Sequence, residues 1–332
     1  MSIKKGVGLD IGTNMLVSAV MNDEGVVVYK RQRDAFFKMV PKSEVNRKSI
    51  RTALEGRKAN FIADNEGFIV VGEDALLMAN ERNLNARRPM SKGILSAKEK
   101  ESLPMIKLII ESLVGQGDGD TNLVFSTPAS PIDSVFDIFY HEEMLKTYIK
   151  EMGFVPIPLN EGFAIAHSEL LDDNLTGICL SFGAGMVNVT VVYEGDPMIQ
   201  FAITKGGDWI DESVAKAIDM SASMVQIEKE ESTINLLNPS GKIQEAISVY
   251  YGILISYALD NILYELNKKK LPSFSELPII LSGGLVLAGN FIEKFNDELK
   301  GKKFPFKIKE IRKAADPMNC VAHGCLMAAI LE

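Results

Sequence analysis

Cysteine, histidine and tryptophan are scarce in this chain, at three, three and one among 332 residues. Cys179, Cys320 and Cys325 form no disulfide framework and no metal-ligand spacing, so a reducing, cytoplasmic compartment is expected. His167 and His323 sit among small apolar residues and are expected as satisfied core or hinge groups. An excess of basic charge is missing too: the net charge is −8, which argues against direct nucleic-acid binding. The local basic runs, Lys268-Lys269-Lys270 and Lys300 to Lys313, are expected as solvated faces. Long apolar runs are absent: Ala246 to Leu259 is broken by Ser248, Gly252 and Ser256 and is too short to span a bilayer, so no integral membrane segment is expected. No signal peptide is expected either, because Met1-Ser2-Ile3-Lys4-Lys5 leads straight into an apolar run. With 46% hydrophobic and 24% charged residues, the chain is too apolar for disorder and long enough for about two domains.

What is present is organised around Gly8-Leu9-Asp10-Ile11-Gly12-Thr13-Asn14 and the apolar run that follows. The pattern predicts strand, Gly turn, strand. Such a turn can present several backbone N–H groups to a phosphate, with its Asp placed to hold a hydrated cation; an ordinary β-hairpin with an Asp before its turn reads the same way. Asn22-Asp23-Glu24-Gly25 predicts a second turn before Val26 to Tyr29. The same strand–Gly turn–strand–turn–strand unit recurs over residues 177 to 203, with Cys179-Leu180-Ser181-Phe182-Gly183-Ala184-Gly185 at its head. This duplication predicts two similar halves whose Gly turns face each other across a ligand.

Between and after the two units the chain alternates. A polar stretch from Lys30 to Asn85 holds a short strand, Phe68 to Val71. Ile106, Ile109, Ile110 and Leu113 define one helix, broken by Gly115. A strand, Leu123 to Ser126, ends at Thr127-Pro128, and a helix from His141 carries Leu145, Tyr148, Ile149 and Met152 on one stripe. Val155 to Leu159 reads as an edge strand, and Asn160-Glu161-Gly162 opens a small-residue helix. A helical insertion runs from Lys205-Gly206-Gly207 to about Leu266. Pro278 to Leu281 is a strand ending in Ser282-Gly283-Gly284, a turn suited to close backbone approach to a ligand, and Leu285 to Leu299 reads as largely helical. Asp316-Pro317 reads as the cap and first position of a last helix.

Taken together these residues resemble the actin-like ATPase superfamily, which holds actin, the heat-shock chaperone ATPases and sugar kinases, and most of all the bacterial MreB-type actin homologues. Gly8 to Thr13 resembles the first phosphate motif, Ser181 to Gly185 the second, and Ile280 to Gly284 the adenosine motif. Asn160 to Ala164 and Val321 to Gly324 resemble the two connecting helices. MreB-like details include Val71 to Ala75, Arg88-Pro89 with Gly93-Ile94, Gly206-Gly207-Asp208 with Asp211-Glu212, and Asp316 to Ala322. The resemblance implies an α/β, actin-like fold: two duplicated mixed-sheet domains with helical layers and a nucleotide cleft between them. The first would take residues 1–158, with a core of 1–30 and 86–158, an insertion at 31–85, and the helix 316–332 returning to it. The second would take 159–315, with a core of 159–205 and 272–315 and a helical insertion at 206–271.

It further implies ATP or ADP with Mg²⁺ as cofactors. Asp10 would serve the metal, Gly12, Thr13 and Asn14 the phosphates from one side, and Ser181, Gly183, Ala184 and Gly185 from the other. Gly207, Ser282, Gly283 and Gly284 would flank the nucleoside. Gln226 and Lys229 have the spacing of the ribose- and base-contacting pair, although with Glu228, Glu230 and Glu231 they also read as a solvated helix face. Two departures stand out. Ser181 occupies the place of an Asp that helps hold the metal's water, which would weaken the cation site. The residue that positions the attacking water is expected soon after Pro128; Glu142 is the first choice, then His141, Glu143 and Asp137, and acidic residues in a helix's first turn also need no catalytic role. The implied function is a filament-forming ATPase that self-associates and serves unidentified adaptor proteins, with slow hydrolysis. A non-polymerising, nucleotide-gated adaptor and a small-molecule kinase are the alternatives.

Overall fold

The computed structural model describes residues 6–82, 84–96, 99, 101–231, 233–269 and 276–331. The expected strand start at Ile3, Lys270 of the basic run, the boundary between 271 and 272, and the Glu231 side chain lie outside the described residues.

The apolar runs of the first unit form β1 (Gly6–Ile11), β2 (Met15–Met21) and β3 (Val27–Arg33), joined by the two expected turns. The polar stretch that follows is more regular than its sequence suggests. It holds β4 (Phe36–Met39), α1 (Glu44–Arg57), β5 (Phe61–Ala63), β6 (Phe68–Val71) and α2 (Glu73–Asn80), with β4, β6 and β5 paired around their own small core of Phe68, Val70, Leu54 and Met78. Ser43 caps α1 by accepting the Asn46 N–H at 3.2 Å. A hairpin of two-residue strands, β7 (Met90–Ser91) and β8 (Ile94–Leu95), precedes α3 (Ser102–Val114), β9 (Asn122–Thr127), α4 (Phe139–Glu151) and β10 (Val155–Asn160). The second half continues with α5 (Glu161–Glu169), β11 (Gly177–Phe182), β12 (Val187–Tyr193), β13 (Asp196–Ile203), α6 (Gly207–Ile218), α7 (Ala222–Glu231), α8 (Gly241–Lys268), β14 (Glu276–Ser282), α9 (Phe291–Leu299), β15 (Lys307–Lys313) and α10 (Cys320–Leu331).

The duplication is complete at the level of topology. One five-stranded sheet runs β3-β2-β1-β9-β10 and the other β13-β12-β11-β14-β15. In each, three antiparallel strands are followed by two parallel ones. The parallel strands β1, β9 and β10 therefore end on one side of their sheet, as do β11 and β14 of theirs. Open α/β sheets bind ligands at those carboxyl ends. Helices α3 and α4 cover the outer face of the first sheet through Ile106, Ile109, Ile110, Leu145 and Ile149; α6, α8 and α9 cover the second through Val214, Leu254, Ile255, Phe291 and Phe295. Between the sheets lie α5 and α10, packed on Val124 of one and on Cys179 and Ile280 of the other. They touch backbone to backbone, since a Cβ on Gly324 would come within 1.8 Å of the Ala164 carbonyl oxygen.

The basic run ending at Lys313, expected as a solvated face, includes a partly exposed edge strand, β15, whose lysines suit a strand with one open side. Three expectations need correction. The helical stretch around Ala246–Leu259 extends over 28 residues, long and apolar enough by length and composition to cross a membrane, yet its buried face packs into the core of the second sheet. Leu285 to Leu299 splits into a short 3₁₀ turn (Gly284–Leu287) and α9. Pro317 does not begin α10. Residues 317–319 form a turn, with the Asp316 carbonyl accepting the Asn319 and Cys320 N–H groups and its carboxylate the Met318 N–H.

Candidate nucleotide cleft

The carboxyl ends of the parallel strands open onto one cavity of about 390 Å³, within the range of small-molecule sites. Asp10 lies near the end of β1, and its Oδ1 accepts a hydrogen bond from the Ser126 hydroxyl at 2.8 Å. The Ser126 oxygen in turn accepts the Ile11 N–H at 2.9 Å, so β9 fixes both the strand end and its acid. Gly12, Thr13 and Asn14 follow as one wall of the cavity. The second turn, Gly183-Ala184-Gly185, forms the facing wall, and the two are in direct reach: a Cβ on Gly185 would stand 2.3 Å from the Thr13 hydroxyl oxygen.

Ser181, at the place in β11 that Asp10 holds in β1, donates its hydroxyl hydrogen to Glu161 Oε1. Glu161 opens α5, directly after Asn160, whose side chain caps that helix by accepting the Phe163 N–H at 3.2 Å. Its second oxygen accepts from Asn188 Nδ2 at 2.6 Å, and Asn188 Oδ1 receives the Ala129 N–H at 2.9 Å. Burial raises the Glu161 carboxyl, and the nearby Asp10 charge raises it further. Burial raises Asp10 as well, partly offset by the Ser126 hydrogen bond. Two desolvated carboxylates facing one cavity are costly unless a cation or a proton joins them.

The third wall comes from the end of β14. Gly283 has φ +93° and turns so tightly that a Cβ would meet the Phe182 carbonyl oxygen at 2.4 Å, which only glycine tolerates. Gly283 and Gly284 line the cavity with Leu285, Ile234 and Tyr251, an apolar end suited to a flat ring. Ser282 does not line it; fully buried, it donates to the Pro317 carbonyl at 3.1 Å and ties β14 to the turn before α10. Gly207 begins α6 and lines the cavity, its N–H bound to the Gly183 carbonyl. Gln226 and Lys229 on α7 line it too. The Lys229 ammonium, however, is committed to Asp211 at 2.7 Å and to the Gly207 carbonyl at 2.9 Å, so its stem faces the cavity end. Burial lifts the Asp211 carboxyl to about 6 despite that ammonium.

Glu230, expected on a solvated face, stands at the cavity mouth. It pairs with Arg33 at 3.1 Å and accepts from Asn14 Nδ2 at 3.2 Å, while Arg88 makes a two-pronged contact with Asp208 at 2.9 and 3.0 Å. These contacts join segments more than a hundred residues apart across the cleft.

The residues expected to position water are not brought to the cavity. Glu142 points outward and pairs with Lys146 at 2.8 Å, and Glu143 pairs with the same lysine. His141 lies on the inward stripe of α4 with Leu145 and Ile149, where burial pushes its imidazole down to about 4. Asp137 accepts the Phe139 N–H at the start of that helix. Glu161, Ser126 and Asn188 are the cavity residues that sequence reasoning missed; the first was visible as part of a helix-opening motif, but nothing local marked it as facing Ser181.

No curated protein matches this sequence. Among solved structures, the double-helical filament of MamK is similar over 98% of both chains, at 17% identity and a TM-score of 0.69. MreB 5 of Spiroplasma citri bound to AMPPNP is similar over 98% of this chain and 95% of that one, at 17% identity and a TM-score of 0.66. The ethanolamine utilization protein EutJ from Carboxydothermus hydrogenoformans follows at 14% identity and a TM-score of 0.59, covering 98% and 91%. These likenesses establish an actin-like fold of two mixed sheets with helical layers. A family model described as Volactin matches residues 6–329.

Proposed function

The chain belongs to the Volactin family, and from that footing we propose that it is an actin-like ATP-binding protein that assembles with copies of itself into cytoskeletal filaments. The convergence of two duplicated Gly turns and two half-buried carboxylates on one cavity carries this reading. The filament of MamK and the AMPPNP-bound MreB 5 support it by likeness of fold. The reading divides the chain at residues 158 and 159 into two domains hinged on α5 and α10. It puts the protein in the cytoplasm, with unidentified adaptor proteins as further partners and no direct contact with nucleic acid.

Backbone N–H groups of Gly12, Thr13 and Asn14 would meet the phosphates from one side, and those of Gly183, Ala184 and Gly185 from the other. The Gly283-Gly284 turn and the apolar end beside it would take the adenine, with the Lys229 stem and Gln226 along the nucleoside. The donor set fits Mg²⁺. Among the described residues no cluster of three His, Cys, Asp or Glu side chains could hold a metal, yet Asp10 and Glu161 supply two carboxylates facing one cavity. Mg²⁺ keeps most of its waters and binds through one or two carboxylates together with substrate phosphates. When bound, the ion would supply charge neutralisation at the transferring phosphoryl group.

Glu161, rather than Glu142 or His141, is the residue we assign to the attacking water. It faces the cavity, is oriented by Ser181 and Asn188, and has its carboxyl raised by burial and by the Asp10 charge, the direction that strengthens a carboxylate as a base. Slow hydrolysis to ADP and phosphate then favours disassembly. Because Glu161 supplies a carboxylate where Ser181 lacks one, the ground for a non-hydrolysing adaptor weakens. Sedimentation with and without Mg-ATP, followed by electron microscopy of the pellet, tests assembly. Filaments dependent on nucleotide are expected; monomer under all conditions would remove the filament reading.

A further inference from the structure

The hairpin of β7 and β8 is too short to hold its own shape, because two-residue strands are marginal in water. In an antiparallel pair, alternate residues turn their N–H groups away from the ladder. Here three outward N–H groups of the hairpin are each received by a side chain from a different part of the fold. Met90 donates to Asp34 Oδ2 at 3.0 Å, Leu95 to His141 Nδ1 at 3.2 Å, and Gly93, at the tip, to the Thr13 hydroxyl oxygen at 2.9 Å. Asp34 and His141 are each only 1% exposed. The remaining polar atom of each, Asp34 Oδ1 and His141 Nε2, has no hydrogen-bond partner among the described residues. Each side chain thus keeps a buried polar atom unsatisfied while its other one holds the hairpin, an arrangement that costs stability. The tip itself cannot shift freely: Gly93 has φ +77°, and a Cβ there would meet the Met186 sulfur at 2.4 Å.

We propose that Asp34 and His141 are positioning residues for Thr13, fixing from two flanks the hairpin whose tip amide orients the Thr13 hydroxyl toward the cavity. A hydroxyl has one hydrogen to donate and two lone pairs. The Gly93 N–H occupies a lone pair, which leaves the Thr13 hydrogen free to donate to an anionic oxygen in the cavity. His141 and Asp34 touch no ligand; they act through the Gly93 amide. This rests on the reading that the first Gly turn meets phosphate.

The test uses the full chain and four variants: His141→Leu, His141→Asn, Thr13→Val and the double variant Thr13→Val with His141→Leu. Asn places an acceptor where Nδ1 stands. Amide hydrogen exchange without nucleotide is read at Gly93 and Leu95, and affinities for Mg-ATP and for adenosine are read by calorimetry. His141→Leu is expected to speed exchange at both amides by about tenfold and to weaken Mg-ATP about tenfold, leaving adenosine unchanged. His141→Asn restores both readings. In the Thr13→Val background, His141→Leu changes Mg-ATP affinity less than twofold. Unchanged exchange at Gly93, an undiminished tenfold loss in the Thr13→Val background, or an equal loss for adenosine would each overturn the proposal. If His141→Leu does not fold, Asp34→Val makes the same test from the other flank. A wild-type chain that binds no Mg-ATP would defeat the nucleotide reading, while the exchange measurement would still decide whether the side chains hold the tip.

Discussion

The two halves of the molecule present the same pair of chemical groups with their origins exchanged. At the first Gly turn the strand supplies the acid, Asp10, and the neighbouring strand end supplies the hydroxyl, Ser126. At the second, the strand supplies the hydroxyl, Ser181, and the start of α5 supplies the acid, Glu161. Both contacts are O–H···O hydrogen bonds to a carboxyl oxygen at a strand's carboxyl end. A missing carboxylate in one motif is therefore no measure of the site's charge, because a nearby segment can carry it. The surroundings differ as well. Among the described residues Asp10 is hydrogen-bonded by a serine, whereas Glu161 is also gripped by Asn188, which stands opposite Ser181 in the β12 register.

The most direct way to break this comparison is to remove the first acid. Asp10→Ala should weaken Mg-ATP binding by roughly 100-fold or more in calorimetry while adenosine binding changes little; near-normal Mg-ATP affinity would mean that the two acids are not partners. Removing the second acid's charge but keeping its shape sharpens the comparison. Glu161→Gln still accepts from Ser181, so affinity should fall less than in Asp10→Ala, while phosphate release drops by roughly 100-fold, as expected for loss of a general base. Glu142→Ala is the control and should release phosphate at the wild-type rate, since its carboxylate faces Lys146.

A smaller effect concerns what supports each turn. The first turn leans on the hairpin held by Asp34, whose carboxyl is raised to about 8, chiefly by burial. The unfolded chain releases this proton near pH 4, so between about 4 and 8 the folded state binds more protons and the group lowers stability as pH rises. Asp34→Asn keeps an acceptor for Met90 and cannot ionise. From pH 6 to 7 the wild type should lose about 1.4 kcal/mol relative to this variant in urea denaturation. Parallel pH profiles would show that Asp34 is already ionised in the folded protein.

Much of the fold was legible because the informative signals were local. Apolar runs ending in glycine gave both copies of the unit, and the 3.6-residue stripe gave α3 and α4. Even the inward side of His141 follows from that stripe, since Leu145 and Ile149 continue it at four-residue steps and Glu142 falls a hundred degrees away. The β4 strand and α1 were obscured by lysines and arginines that lie on the outside of a small core. At the site, the glycines could be read from the chain, but Glu161, Ser126 and Asn188 could not. Ser126 reaches Asp10 through parallel pairing of strands more than a hundred residues apart, and Glu161 reaches Ser181 and Asn188 from the start of a helix against the neighbouring sheet; no local pattern encodes either contact. Ser282 was misjudged although it shares a sheet face with Ser181, because the turn before α10 covers it and takes its hydroxyl.

The backbone contact of Gly324 on Ala164 gives the two carboxylates a geometric meaning. Glu161 is bound to Ser181 and Asn188, so it travels with the second sheet; Asp10 is bound to Ser126 and travels with the first. If the sheets swing about the α5–α10 contact, the separation of the two acids changes with the angle. The pair is thus a gauge: an ion that requires both oxygens at a set spacing would select one angle between the halves.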